Sequence, residues 1–243
     1  MELSKLPVQQ GFRLRGMAVT RLETFVDAAF AFAVTLLVVS FDKMPDSAAE
    51  LYDALRRLPA FLAGFAILAM YWHSHHRFSR RFGLEDGTVI TLSLGLVAAT
   101  LFYVYPLRMV MSAAMNFFTG GWAASDFVVN SLDEYQMIFV VYGLGFAVLA
   151  AIVVLLNWHA LRMADKLGLD PAERMVARGE IGAHLLLILT AMLSIGLALA
   201  LRPGMTWAYA FPGLAYGLLA VMMPAYGIAL GRKVDALAAA RTA

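Results

Sequence analysis

Apolar positions in this chain fall into long blocks separated by short charged or turn-forming stretches. Six blocks stand apart, at about 20–41, 54–76, 87–114, 135–158, 181–201 and 205–230. Each is near or above the roughly 20 helical residues needed to cross a hydrocarbon layer about 30 Å thick. The block 135–158 carries no charge, and 181–201 is interrupted only by His184. The pattern predicts an all-α integral membrane protein with six transmembrane helices, residues 1–243 forming a single transmembrane domain with one copy of the six-helix unit. A stretch of about 20 residues carrying polar and basic side chains, among them Lys5, Arg13 and Arg15, precedes the first block, with no convincing small-residue cleavage site after it, so it reads as a retained helix.

Composition supports the membrane reading. Of 243 residues, 61% are hydrophobic and 15% charged, too few polar groups to cover a soluble domain. The formal charge of +2 is not gathered on one face, as nucleic-acid binding would require. With no cysteine there is no disulfide, thiolate metal site or cysteine nucleophile. Charge also predicts orientation. Of the 19 basic residues, all but Lys43, Arg56, Arg57, Arg108 and Arg202 fall in the segments on the N-terminal side of a six-helix arrangement. Because basic residues are enriched on the cytoplasmic side, both termini are expected there. The opposite side carries Asp42, Asp46, Glu50 and Asp53 after the first block, and Asp126, Asp133 and Glu134 before the fourth. These form either a solvated loop surface or an acidic vestibule that concentrates cations. Trp122, Trp158 and Trp207 suit interfacial anchors.

The first block, TRLETFVDAAFAFAVTLLVVSF, carries Arg21, Glu23 and Asp27. From Ala28 to Phe41 only fourteen uncharged residues remain, so a crossing helix takes Asp27 into the membrane or its boundary. An ionisable residue there marks a functional site or anchors the helix at the interface. Ala28, Phe32, Thr35 and Val39 recur on one helical stripe, and Ala29 and Ala33 form a small pair suited to close helix contact.

The run Arg21-x-x-x-Phe25-x-Asp27, followed by Ala- and Phe-rich helix into Thr35-Leu36-Leu37, resembles the start of the lysosomal and prokaryotic potassium channel family, the transmembrane protein 175 family. Its signature is Arg-x-x-x-Phe-Ser-Asp, with Val26 here at the serine position. The likeness extends loosely over the six-helix layout and Tyr71-Trp72-His73-Ser74-His75-His76-Arg77-Phe78. The resemblance implies a potassium-permeable channel of the cell (inner) membrane, a homotetramer lined by its first helices. By position, Phe32, Thr35 and Val39 would line the pore, Phe32 replacing the usual aliphatic as a hydrophobic constriction. It implies no enzyme activity and no cofactor; K⁺ and the bilayer are the expected partners. The Thr-Val-Gly-Tyr-Gly filter of ordinary potassium channels is absent from the sequence.

Further polar residues cluster at the end of the second block. At helical spacing His73, His76 and Arg77 share a face, while His75 points elsewhere. A zinc site at His73 and His76 lacks a clear third ligand. The electrostatic reading pairs Asp27 with His76 or Arg77, which return to the same membrane side. His184, four residues after Glu180, suits a structural contact. Two other readings of the chain are a proton-coupled secondary transporter using Asp27 and His76, and a non-conducting membrane protein.

Overall fold

The computed structural model describes residues 6–9, 11–38, 46–125 and 127–239. It is mostly helical. Two short antiparallel strands, β1 (Val8–Gln9) and β2 (Phe12–Arg13), precede the helices, so the all-α expectation misses a small hairpin. The helices follow in order: α1 (Arg21–Val38), α2 (Ala48–Phe82), α3 (Gly87–Phe118), α4 (Leu132–Arg162) and α5 (Pro171–Ala200). The chain then turns through Thr206–Ala208, forms a short α6 (Phe211–Leu214), tightens over Ala215–Leu218 and continues as α7 (Leu219–Ala239). By length and composition, five of the described helical runs suffice to cross a membrane: α2, α3, α4, α5 and the run Phe211–Leu237.

The apolar blocks locate the helices but not their ends. Helix α2 begins at Ala48 and continues to Phe82, well beyond His76. Ser47 starts it by accepting from the Glu50 N–H, and Gly83 ends it in a left-handed conformation (φ 59°). Asp86 starts α3, and Ser131 starts α4. Helix α5 begins ten residues before the predicted apolar block. Asp170 and Glu173 form a reciprocal capping box there, with Pro171 in the first turn. The sixth block is not one helix. Pro212 sits within α6, two tight turns surround it, and only then does α7 run.

Helices α4 and α5 make the most extensive pairing, and α3 lies against α4, α2 and α1. The α4–α5 contact depends on Gly143, where a Cβ would come within 2.7 Å of Ile195 Cγ1. The main core joins Val26, Phe30, Ala33 and Leu37 of α1 to Leu68 and Tyr71 of α2, Leu96 and Tyr103 of α3, and Tyr142 and Phe146 of α4. Within it the Tyr71 hydroxyl donates to the Phe146 carbonyl at 2.9 Å, which satisfies a buried polar group. A second apolar cluster, with Phe12, Phe78, Phe82, Leu156 and Leu169, closes the end where α2 stops and α5 starts.

Candidate permeation helix and its polar supports

Helix α1 starts at a capping box of its own. Thr20 Oγ1 accepts from the Glu23 N–H, and Glu23 Oε2 accepts from the Thr20 N–H. Beyond the cap the helix has two unlike faces. Val26 (0% exposed), Phe30 (4%), Ala33 and Leu37 are buried in the core. Arg21, Phe25, Ala28, Phe32 and Thr35 are exposed, with Phe25 at 53% and Phe32 at 56%. Spacings of three and four put these exposed residues on one stripe. Helix α1 therefore fills the core with one side and leaves an aromatic and threonine stripe uncovered. The stripe expected from spacing is present as far as Thr35; Val39 lies outside the described residues. Thr35 Oγ1 donates to the Ala31 carbonyl at 3.1 Å, so its hydrogen is occupied and its lone pairs face outward. Val26, at the motif's serine position, is fully buried, an apolar core position where a valine packs without an unmet hydroxyl.

The support of Asp27 differs from expectation. Its partner is the indole of Trp72, whose Nε1–H donates to Asp27 Oδ1 at 2.8 Å. His76 stacks on that indole with ring centroids 5.5 Å apart, reaching Asp27 only through the ring. Arg77 does not pair with Asp27. It bonds Glu180 Oε2 on α5 at 3.0 Å, while Arg81 bonds Glu180 Oε1 at 2.8 Å. The reason is that Arg77 and Arg81, one turn apart on the last turns of α2, both reach this one carboxylate of α5. His73 is exposed. His75 is buried and bonded through Nε2 to Ser93 Oγ at 2.9 Å. His184 Nδ1 lies 2.8 Å from the Glu180 carbonyl. A carbonyl only accepts, so Nδ1 carries the hydrogen.

Several polar residues resolve into structural roles. Glu50 accepts from the Asp46 N–H, and Glu134 from the Asn130 N–H, so both carboxylates are used at helix starts. Asp42 and Asp126 lie outside the described residues. Arg108 lines a cavity of about 270 Å³ together with Leu37, Arg57, Phe61, Ser112 and Phe127. At the start of α3, the cap residue Asp86 meets the last turn of α4: His159 Nε2 lies 2.7 Å from Asp86 Oδ2, and this bond holds the Asp86 carboxyl below its ordinary range. Sequence reasoning missed Trp72 and Glu180. Indole at four residues from His76 on the same helix face was the available signal for the first; nothing local marks the second.

These features have counterparts in known proteins. The family model described as endosomal/lysosomal potassium channel TMEM175 matches residues 21–106, which span α1, α2 and most of α3. A protein named potassium channel from Marivirga tractuosa is 30% identical over 227 residues, covering 91% of this chain and 92% of its own. A potassium channel of a Chryseobacterium species is 24% identical over 136 residues, covering 55% of this chain and 64% of its own. Among solved structures, a crystal structure of a variant of the potassium channel MtTMEM175, in complex with a nanobody–MBP fusion, has a TM-score of 0.78 at 29% identity. It covers 93% of this chain and 100% of that one. The family is one of channels and not of enzymes, and with its motif on α1 and its match over nearly the whole length, this chain belongs to the TMEM175 potassium channel family.

Proposed function

We propose that this protein is a potassium-permeable channel in which four copies surround an axis and present the exposed stripe of α1 to it. The carrying observation is the division of α1 into a buried face, Val26–Phe30–Ala33–Leu37, and an uncovered one, Phe25–Ala28–Phe32–Thr35. Phenyl rings by themselves also suit lipid; with Arg21 and Thr35 on the same stripe, this face suits a narrow passage or a subunit contact better than hydrocarbon.

In this reading Phe32 forms the constriction. It lies five residues beyond Asp27, about 7.5 Å along the axis at roughly 1.5 Å per residue. Four phenyl rings meeting there exclude water, and hydrophobic constrictions close by dewetting. A permeating cation loses hydration with little replacement until the Thr35 oxygens. Val39 follows four residues further on the same stripe. Conduction then requires the first helices to turn or spread. Residues 1–243 act as one transmembrane unit with six crossing segments, both termini in the cytoplasm and the bacterial inner membrane as its site. Asp27 anchors α1 to α2 through Trp72, with His76 stacked on that indole; Arg21 and Phe25 belong to the exposed stripe, His73 is exposed, and Arg77 ties α2 to α5 through Glu180.

Single-channel recording of purified protein in defined lipid, with opposing potassium and sodium gradients, tests the reading. Unitary currents reversing toward the potassium potential are expected; slow flux without unitary events would instead identify a carrier. A reporter that folds only outside the cytoplasm should be silent when fused after Ala243 and active when inserted near Gly120. The opposite result sinks the six-crossing topology.

A further inference from the structure

The segment ahead of α1 is docked more firmly than a leader needs to be. Phe12 is fully buried, edge-on to Phe82 at 5.4 Å, with the guanidinium groups of Arg15 and Arg81 over its ring at 5.6 and 5.4 Å. Glu173, 0% exposed, receives four donors. Its Oε1 accepts from the Arg13 N–H (2.9 Å) and Arg15 Nη1 (3.1 Å), and its Oε2 from Arg15 Nη2 (2.9 Å) and the Asp170 N–H (3.0 Å). The carboxylate is saturated by a bidentate arginine and two backbone amides. The side chain of Arg15 is only 4% exposed, and Arg15 also donates to the Leu167 carbonyl.

The same segment grips α2. The Gly16 N–H donates to the Arg80 carbonyl at 3.0 Å. The Arg80 guanidinium donates back to the Gly16 and Met17 carbonyls. The approach is close enough that a Cβ on Gly16 would lie 2.1 Å from the Ser79 carbonyl oxygen. Only Met17, Ala18 and Val19 separate this anchored glycine from Thr20, the cap of α1. Four Cα steps reach at most about 14 Å. The start of α1 is thus tethered by a short lead to a point fixed on both α2 and α5.

We propose that residues 11–19 act as a strap that restrains the first helix, so that release of the strap from Glu173 and from the end of α2 favours the conducting arrangement. The inference rests on the channel reading above. The physical link is the short lead. If α1 must turn or spread for ions to pass, its inner end moves relative to α2, and any movement beyond the slack of Met17–Val19 pulls on bonds that are buried and satisfied only when docked. Phe12, Arg15 and Gly16 are therefore positioning residues. None of them lies on the exposed stripe of α1, and all precede residues 21–106, where the family match falls.

The test uses the full chain with Gly16→Ala, which pushes the strap off the Ser79 carbonyl without altering charge, and separately Phe12→Ala, which empties its apolar seat. Docking is read by trypsin cleavage after Arg15, slow in the wild type because its side chain is buried. Gating is read by single-channel recording, with a melting curve as control. The expected result is faster cleavage in both variants and open probability raised about fivefold or more, the lower end of usual coupling between sites, with unitary current unaltered. Faster cleavage with open probability unchanged or lowered overturns the proposal. So does wild-type cleavage in both variants, since the strap would then not depend on these contacts. A conducting wild type with unresponsive variants defeats the strap alone, whereas a silent wild type defeats the channel reading and the strap with it.

Discussion

Trp72 holds Asp27: the indole N–H of α2 donates to the α1 carboxylate at 2.8 Å, and the face of the same indole lies against His76. An aromatic ring thus does what an ion pair with His76 or Arg77 was expected to do. The arrangement fits the membrane boundary, where indole keeps its apolar body in hydrocarbon and its N–H on a polar partner. It also leaves Arg77 and Arg81 for Glu180, tying α2 to α5 on the same side.

Trp72→Phe keeps an aromatic ring for His76 and deletes only the donor. A hydrogen bond to a charged group contributes about 1.5–3 kcal/mol net, so a lower melting temperature and reduced potassium flux are expected. Asp27→Leu, which keeps the branched shape but removes the acceptor, should act in the same direction. Because both substitutions remove one interaction, the double variant should be little worse than the more damaging single one. Strict additivity in melting free energies would show that the two residues act apart.

Phe30 and Phe32 are two residues apart with opposite surroundings, 4% and 56% exposed. Phe30→Ala opens the core and should cost about 3–5 kcal/mol. Phe32→Ala leaves that core intact. It should widen the passage, raise potassium flux and weaken discrimination against sodium. Lower tetramer yield with unchanged unitary currents in Phe32→Ala would make this ring a subunit-packing residue instead. Parallel detergent melts and recordings separate the two outcomes.

Thr35→Val keeps the volume and removes the oxygen on the exposed stripe. The hydroxyl bonds only its own helix at Ala31, so stability should stay within about 0.5 kcal/mol, as for surface changes away from special features. The potassium-to-sodium permeability ratio should change. An identical ratio in bi-ionic recordings would exclude Thr35 from the ion path.

Asp86→Asn probes the link between the start of α3 and the end of α4. Asparagine is also a good cap, so the bonds from the Thr88 and Val89 N–H groups can persist while the charge facing His159 is lost. The His159 bond lowers the Asp86 value below the ordinary 3.8. Its contribution is therefore full above that pH and disappears as pH falls through the lowered folded-state value. Melting temperatures of the two proteins should differ most near neutrality and converge in acid. A gap independent of pH would mean that the carboxylate charge plays no part.

The membrane character, the positions of the helical blocks and the split stripe of α1 were readable in the linear chain, because each follows from local spacing. Apolar length sets a crossing segment, and a period near 3.6 sorts Phe30 from Phe32 before any fold is known. The start of α5 was half legible, since Asp170-Pro171 marks a cap even where the apolar block begins later. The family motif was likewise local, a seven-residue run at the head of α1. What the linear chain left open were the partners of its charges. Arg77 meets Glu180 across 103 positions and Arg15 meets Glu173 across 158, and a carboxylate carries no local sign of which guanidinium will reach it. Those pairings depend on how far α2 extends past its apolar block and where the chain ahead of α1 folds back, and both are decided by packing. The tertiary structure alone therefore set Trp72 on Asp27, drew α2 to α5 through Glu180, and tied the lead into α1 to both.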